Sequence, residues 1–296
     1  MTATKNHLAE QALAGWRPVN RSTDAWRRVR HQPLALAGAA IVLVFVVVAA
    51  FAPLLAPENP TLIRLSQRLL PPTLAHPFGL DELGRDVLSR VIYGARIDFV
   101  SVLLVIAVAG TLGTAVGMAA AWFGHWWDET LMRITDIFLA FPALILAMAI
   151  SAVLTPNLTN ALLAISVTWW PIYARISRGQ TLTIQRQDFV EGARAVGASN
   201  RRIFAQYLLP NSITPILVQA TLDMGGVLLT AAGLSFIGFG AQPPTPEWGR
   251  MVSGGSTFLA TQWWVATFPA LAILLMVLGF NLLGDALRDL LDPRLR

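Results

Sequence analysis

The residues that most often carry chemistry are arranged for none of the common reactions in this sequence of 296 residues. Cysteine is absent, and His7, His31, His76 and His125 are too scattered for zinc-ligand spacing, so neither a disulfide framework nor a metal site is expected. Lys5 is the single lysine, which excludes the phosphate-cradling loop G-x-x-x-x-G-K-[ST] and with it any P-loop ATPase activity of the chain's own. H-E-x-x-H and G-x-S-x-G are missing too, so an intramembrane hydrolase has no motif to stand on. One acidic residue does stand out: Asp223, midway along the apolar run Ile213 to Phe239, where an ionised group must face water or a partner. Two readings are open for it. It lines a route and meets a charged substrate terminus, or a hydrogen bond to Gln219 or Thr230 fixes helix packing.

The most structured polar stretch runs from Arg175 to Pro210, far longer than a plain connector needs to be. Asp188 followed three residues later by Glu191 has the form of a capping box and predicts a helix start. Phe189, Val190, Ala193 and Val196 then fall on one face, and Gly197 stands where a left-handed terminating residue is wanted, giving a helix of about two turns. Ser199 is placed to cap a second helix through Ile203, Phe204 and Leu208, which Pro210 is expected to end near Leu209. Such a projecting amphipathic pair suits either a groove on another protein or the plane of the lipid headgroups.

These elements must be held by a membrane domain. The chain is 55% hydrophobic and only 13% charged, and its mean hydropathy is +0.57; a soluble domain carries about one charged residue in four. Charge-free runs at Leu34–Leu55, Phe99–Phe123, Ile137–Leu154, Ala161–Ala174, Ile213–Phe239 (broken by Asp223) and Trp263–Gly284 predict six spans. Span four is the shortest and contains Pro171. Cleavage after Ala50-Phe51-Ala52 is the competing reading of the first run, but its length and the long polar stretch before it favour a span.

With the amino terminus inside, Lys and Arg divide 16 inside to 6 outside, which accounts for all 22 and predicts that both termini are cytoplasmic. The inner charges include Lys5, Arg133 and Arg288. The sequence pI of 10.6 therefore reflects membrane-orienting residues rather than a nucleic-acid surface. The expected organisation is a cytoplasmic tail at 1–33, a first span at 34–55, a periplasmic loop at 56–98, a core of spans two to six at 99–284 enclosing a cytoplasmic loop at 175–210, and a cytoplasmic tail at 285–296. Within the outer loop, Val87, Leu88, Val91, Ile92 and Ala95 recur opposite Asp86, Ser89, Arg90 and Arg96. That pattern describes an amphipathic helix lying in the interface or packed on the spans. Gly113 and Gly117, with Gly110 one turn before, permit close helix approach inside the bundle. Asp136 has Arg133 within reach as an ion-pair partner.

Glu191-Gly192-Ala193, Gly197, Ile203 and Leu209-Pro210 resemble the EAA loop of ABC importer permeases, with Gly192 in place of the usual alanine. The resemblance continues through His76-Pro77-Phe78-Gly79-Leu80-Asp81, Gly84 to Arg90, Met132 to Asp136 with Phe141-Pro142, Gln242 to Gly249, and Phe280 to Asp292-Pro293. It is closest to the second permease subunit of the dipeptide, oligopeptide and nickel importers. That resemblance implies a type I importer fold in a bacterial inner membrane, both termini cytoplasmic, translocating di- or oligopeptides by alternating access. Nickel chelates or modified dipeptides are the alternative cargo, and a secondary transporter the alternative class. It implies a homologous second permease, two ATPase subunits or domains that hold ATP and magnesium so that this chain needs no cofactor, and a periplasmic or lipoprotein solute-binding protein. Asp188, Glu191, Gly192, Ala193, Gly197, Ile203, Leu209 and Pro210 would form the ATPase-coupling element.

Overall fold

The computed structural model describes residues 33–291 and consists, among them, of helices joined by turns. The two tails read from the sequence fall wholly or partly outside these residues. Helix α1, Pro33–Ala50, is uniformly apolar and mostly exposed around its surface, as a span facing lipid should be. It crosses the last long helix at Gly38, where an added Cβ would stand 2.6 Å from Leu282 Cβ. A single turn, α2 (Ala52–Leu55), leads into the outer loop.

Helix α3 runs unbroken over Val87–Phe123. The amphipathic segment at 87–96 is thus the first turns of span two, and not a separate helix lying in the interface. No glycine turn or proline separates Arg96 from Phe99, and Ser89 and Arg90 of the polar face are buried together with Val87 and Ala95. Asp86 caps the helix, accepting from Ser89 N and Ser89 Oγ at 2.7 Å each. Arg90 donates to the Pro60 carbonyl at 2.9 Å. Asp81 takes Arg85 Nε at 2.6 Å, so a buried polar cap closes the outer end of the bundle. Across it, Glu247 accepts from Gly249 N and Arg250 N to start the helix Trp248–Ser256, and burial pushes its carboxyl above the ordinary range.

Span three departs from the apolar run that predicted it. Helix α4, His125–Leu139, and helix α5, Ala143–Val153, meet at 90°, so 137–154 is not one straight span. Pro142 is the cause, because it forces Phe141 out of the helical region and lacks the N–H to continue the ladder. Asp136 pairs with Arg175 at 2.6 Å rather than with Arg133, which reaches Glu129. Arg178 grips both Asp128 oxygens at 2.5 and 2.6 Å, so two ion pairs tie α4 to the helix that carries Arg175 and Arg178.

Helix α6, Leu158–Gln185, passes through Pro171 and incorporates residues 175–185, which had been assigned to the cytoplasmic loop. It is long enough to cross, yet four other helical segments are the ones both long and apolar enough alone, the bent pair making a fifth. Burial explains the difference: Ala161, Ile165, Trp170, Tyr173 and Ala174 are covered by protein, so a helix at the centre of the bundle need not be apolar all round. Helices α9 (Leu209–Ile237), α10 (Trp248–Ser256) and α11 (Trp264–Leu291) complete the fold. Val105, Ala109, Ile165, Tyr173, Leu228, Leu234, Met276 and Phe280 form one core shared by α3, α6, α9 and α11.

Because α6 decides the number of crossings, sidedness tests it. Reporter fusions after Arg202 and after Arg296 are both expected to report cytoplasm, following the 16 to 6 charge division. A periplasmic signal at either position would mean that α6 does not cross.

Candidate functional site

The segment after α6 is built from two short helices and a wide turn. Helix α7 covers Asp188–Ala195, and Gln187 rather than Asp188 is its N-cap, with no side-chain capping bond. The capping box is therefore not formed. The Gln187 carbonyl already accepts from Val190 and Glu191 N, which moves Asp188 and Glu191 into the first turn, where their charges favour the helix dipole. Both side chains are exposed.

The end of α7 matches its sequence signal. Gly197 has φ +84°. Ala198 N donates to the Ala193 carbonyl and Gly197 N to the Arg194 carbonyl, each at 3.0 Å, the two bonds of a Schellman cap. Ser199 caps helix α8, Asn200–Ile203, its hydroxyl accepting from Arg202 N at 3.4 Å.

The expected stop at Leu209 does not occur. Residues Phe204–Leu208 form a π-turn in which Leu209 N reaches back to the Phe204 carbonyl, and the chain continues directly into α9. One wide turn disposes of the carbonyl that Pro210 cannot satisfy, so the proline is accommodated at the start of a helix rather than ending one. Helix α8 and span five are consequently a single continuous segment.

Val190, Ile203 and Leu208 are fully buried and pack with Met118 and Ile184 in a small core separate from the main one. Trp122, near the cytoplasmic end of α3, meets Phe204 edge-on at 5.5 Å between ring centres. Ala193 is buried beside them, while Phe189 and Val196, on the same sequence face, point outward, Val196 being 86% exposed. Of the four residues placed on one face by the sequence, only Val190 and Ala193 are buried, and Met118, Trp122 and Ile184, which come from distant positions, were not named. The result is an apolar element rooted on the ends of α3 and α6, directly joined to α9, and presenting Phe189, Val196, Glu191, Gly192 and Arg194 to solvent.

Deeper in the bundle, Gly113 and Gly117 lie against the backbone of α6 at Trp170 and Ala174, so this glycine pair serves internal packing. Asp223 is 8% exposed, and its Oδ1 accepts from Gln219 Nε2 at 2.8 Å. Thr230 instead donates to the Gly226 carbonyl. Asp223 Oδ2 has no partner among the described residues.

Two family models match the sequence: binding-protein-dependent transport system inner membrane component over residues 109–296, and the N-terminal transmembrane domain of oligopeptide transport permease C over residues 21–72. The chain is 44% identical to a probable D,D-dipeptide transport system permease protein of Escherichia coli (strain K12), covering 90% of this chain and 89% of that protein. It is 41% identical to a dipeptide transport system permease protein of Alkalihalophilus pseudofirmus, covering 96% and 92% respectively. A glutathione transport system permease protein of Escherichia coli O6:K15:H31 is 42% identical, covering 92% and 90%.

Proposed function

The chain belongs to the family of binding-protein-dependent transport system inner membrane components, and from that membership we propose that it carries di- or oligopeptides, with Asp188 to Pro210 coupling it to separate ATPase chains. It is a multi-pass permease subunit. The peptide cargo is supported by relatives whose names specify dipeptides, D,D-dipeptides and glutathione.

The coupling role rests on one observation above all: α7 and α8 are rooted in a private apolar core at the ends of α3 and α6, and α8 runs without a break into α9. A push on α7 is therefore delivered to three long helices rather than absorbed in a loop. Phe189 and Val196 supply exposed apolar anchors of the kind a groove on another protein accepts. The expected assembly comprises a homologous permease, two ATPase subunits or domains that bind ATP and magnesium, and an extracytoplasmic solute-binding protein. Asp223 is proposed as part of the solute route.

The absence of cysteine allows a direct test, because one introduced thiol is unique in this chain. Val196→Cys in the assembled transporter is expected to cross-link to the ATPase subunit with a short bifunctional reagent. Leu74→Cys, on the fully exposed outer loop, is expected to give no ATPase adduct. Equal yields from both positions, or none from Val196→Cys, would remove the coupling assignment.

A further inference from the structure

Two buried carboxyl groups meet near the start of α3. Asp98, on α3, and Glu247, the residue before α10, are each 1% exposed. Between them they occupy the three consecutive amides that open α10. Trp248 N donates to Asp98 Oδ2 at 3.1 Å, Gly249 N to Glu247 Oε1 at 3.0 Å, and Arg250 N to Glu247 Oε2 at 2.7 Å. Neighbouring amides bring the two side chains together, and the carboxyls are hydrogen-bonded to each other.

A hydrogen bond between two carboxyls requires a proton, and two buried carboxylates in contact cannot both stay ionised without a cation to answer them. None does: among the described residues, neither group pairs with an arginine side chain. Arg85, Arg90 and Arg250 line, with Asp81 and Glu82, a small cavity that neither Asp98 nor Glu247 borders. Arg96 is exposed. Helix α1 carries no charge, and the charges of α11 begin only at Asp285, near its far end. From α9 the neighbour of Glu247 is Ser235, and Asp223 lies roughly 18 Å further along that helix.

We propose that Asp98 and Glu247 bind a single proton between them, and that this proton latches α10 to α3. Glu247, with two amides and the N-terminus of α10, is placed to carry the negative charge, and Asp98, with one amide, to donate the proton. The latched helix is keyed into three others. The Trp248 indole N–H donates to the Val91 carbonyl of α3 at 2.9 Å. An added Cβ at Gly249 would stand 2.2 Å from the Ala232 carbonyl oxygen of α9, and one at Gly255 2.7 Å from Ala266 N of α11. Without the proton, two carboxylates face each other across the seam between α10 and α3, which then parts.

Open to water, both carboxyls ionise near their ordinary values of about 4. Closed, the pair keeps one proton, in line with the raised Glu247 carboxyl. Closure therefore takes up a proton: its contribution is complete below about pH 4 and is lost as the pH rises toward the point where the closed pair releases it. Within that window each pH unit multiplies the open fraction by about ten.

The test is amide hydrogen exchange at residues 248–250 in the complete purified transporter, corrected for the intrinsic pH dependence of exchange and followed from about pH 5 to pH 8. In the native complex, protection of these amides is expected to fall about tenfold per pH unit. Asp98→Asn keeps the shape of the side chain, accepts from Trp248 N and donates to Glu247 without a titrating proton. Its protection is expected to be independent of pH. His76, paired with Asp86 at 3.2 Å, is present in both proteins, so its titration cancels in the comparison. Glu247→Gln, which also leaves no proton to share, is expected to be equally flat and keeps the proposal testable if Asp98→Asn does not assemble. Native protection that does not change with pH, or a native-like slope retained in either variant, would overturn the latch.

Discussion

Gly117→Val is expected to abolish accumulation of the folded permease, because the β-carbon would enter the backbone of a neighbouring helix. At Gly117 an added Cβ would stand 2.0 Å from the Ala174 carbonyl oxygen and 2.1 Å from Ser177 Oγ. At Gly113 it would stand 2.2 Å from the Trp170 carbonyl oxygen. These obstacles are mostly main chain and cannot rotate away; relief requires α3 and α6 to separate. Their separation would also break the contact of Ser177 Oγ with the Thr114 carbonyl at 3.3 Å and expose the core around Ile165 and Tyr173. Overpacking of a flexible core costs about 1–3 kcal/mol, and a backbone-to-backbone clash lies at or beyond the upper end. Gly110→Ala is the matched control, since its Cβ would meet only the Tyr173 ring at 3.8 Å, an ordinary contact. Fluorescence-detected size-exclusion chromatography and thermal melting of the complex measure the outcome. A Gly117→Val complex melting within about 2 °C of the native one would show that this helix pair is looser than its geometry.

The same close approach was readable in the sequence, because G-x-x-x-G states its own spacing, and so were the four most apolar helices. What failed were inferences from a single cue. Counting uncharged residues carried span three across Pro142, although a proline ends a helix whatever the hydropathy around it. Alternation of polar and apolar residues at 87–96 left an interfacial helix and packing on the spans both open, and the structure shows packing, with Arg90 turned inward to a polar cap assembled from residues 60, 81 and 244. A capping box looks the same whether Asp188 is the cap or the first helical residue, and the structure shifts the frame by one. Pro210 was treated as a terminator because a π-turn leaves no recognisable mark on composition. The turn between α7 and α8 was legible since its determinants are local: Gly197 at positive φ and Ser199 as a cap.

Gly197→Val is the most discriminating change in the coupling element, because its expected cost is almost wholly conformational. Nothing lies within 4 Å of where its β-carbon would be, so no packing clash opposes the side chain. The backbone does: φ is +84°, a region that a β-branched residue occupies only with strain of about 1–3 kcal/mol. Relaxing that strain means giving up the Schellman bonds from Ala198 to Ala193 and from Gly197 to Arg194. Helix α7 is then free to swing relative to α8. Val190 leaves its place against Ile203 and Met118, while α3, α6 and α9 keep their own contacts and still insert. The expected product is an assembled membrane permease that loses copurifying ATPase, or retains it and loses at least about tenfold of the ATP hydrolysis stimulated by loaded binding protein, equivalent to some 1.4 kcal/mol. Glu191→Ala should act more weakly, since with no capping box formed it removes a dipole interaction of about 0.3–1 kcal/mol and any polar contact with the ATPase. Gly192→Ala should preserve function, having open space around it and about 1 kcal/mol of helix propensity to gain. The ordering is the test. If Gly197→Val copurifies its ATPases and imports solute at the native rate, α7 is not the element that carries ATP closure into the membrane, whatever the order of the other two.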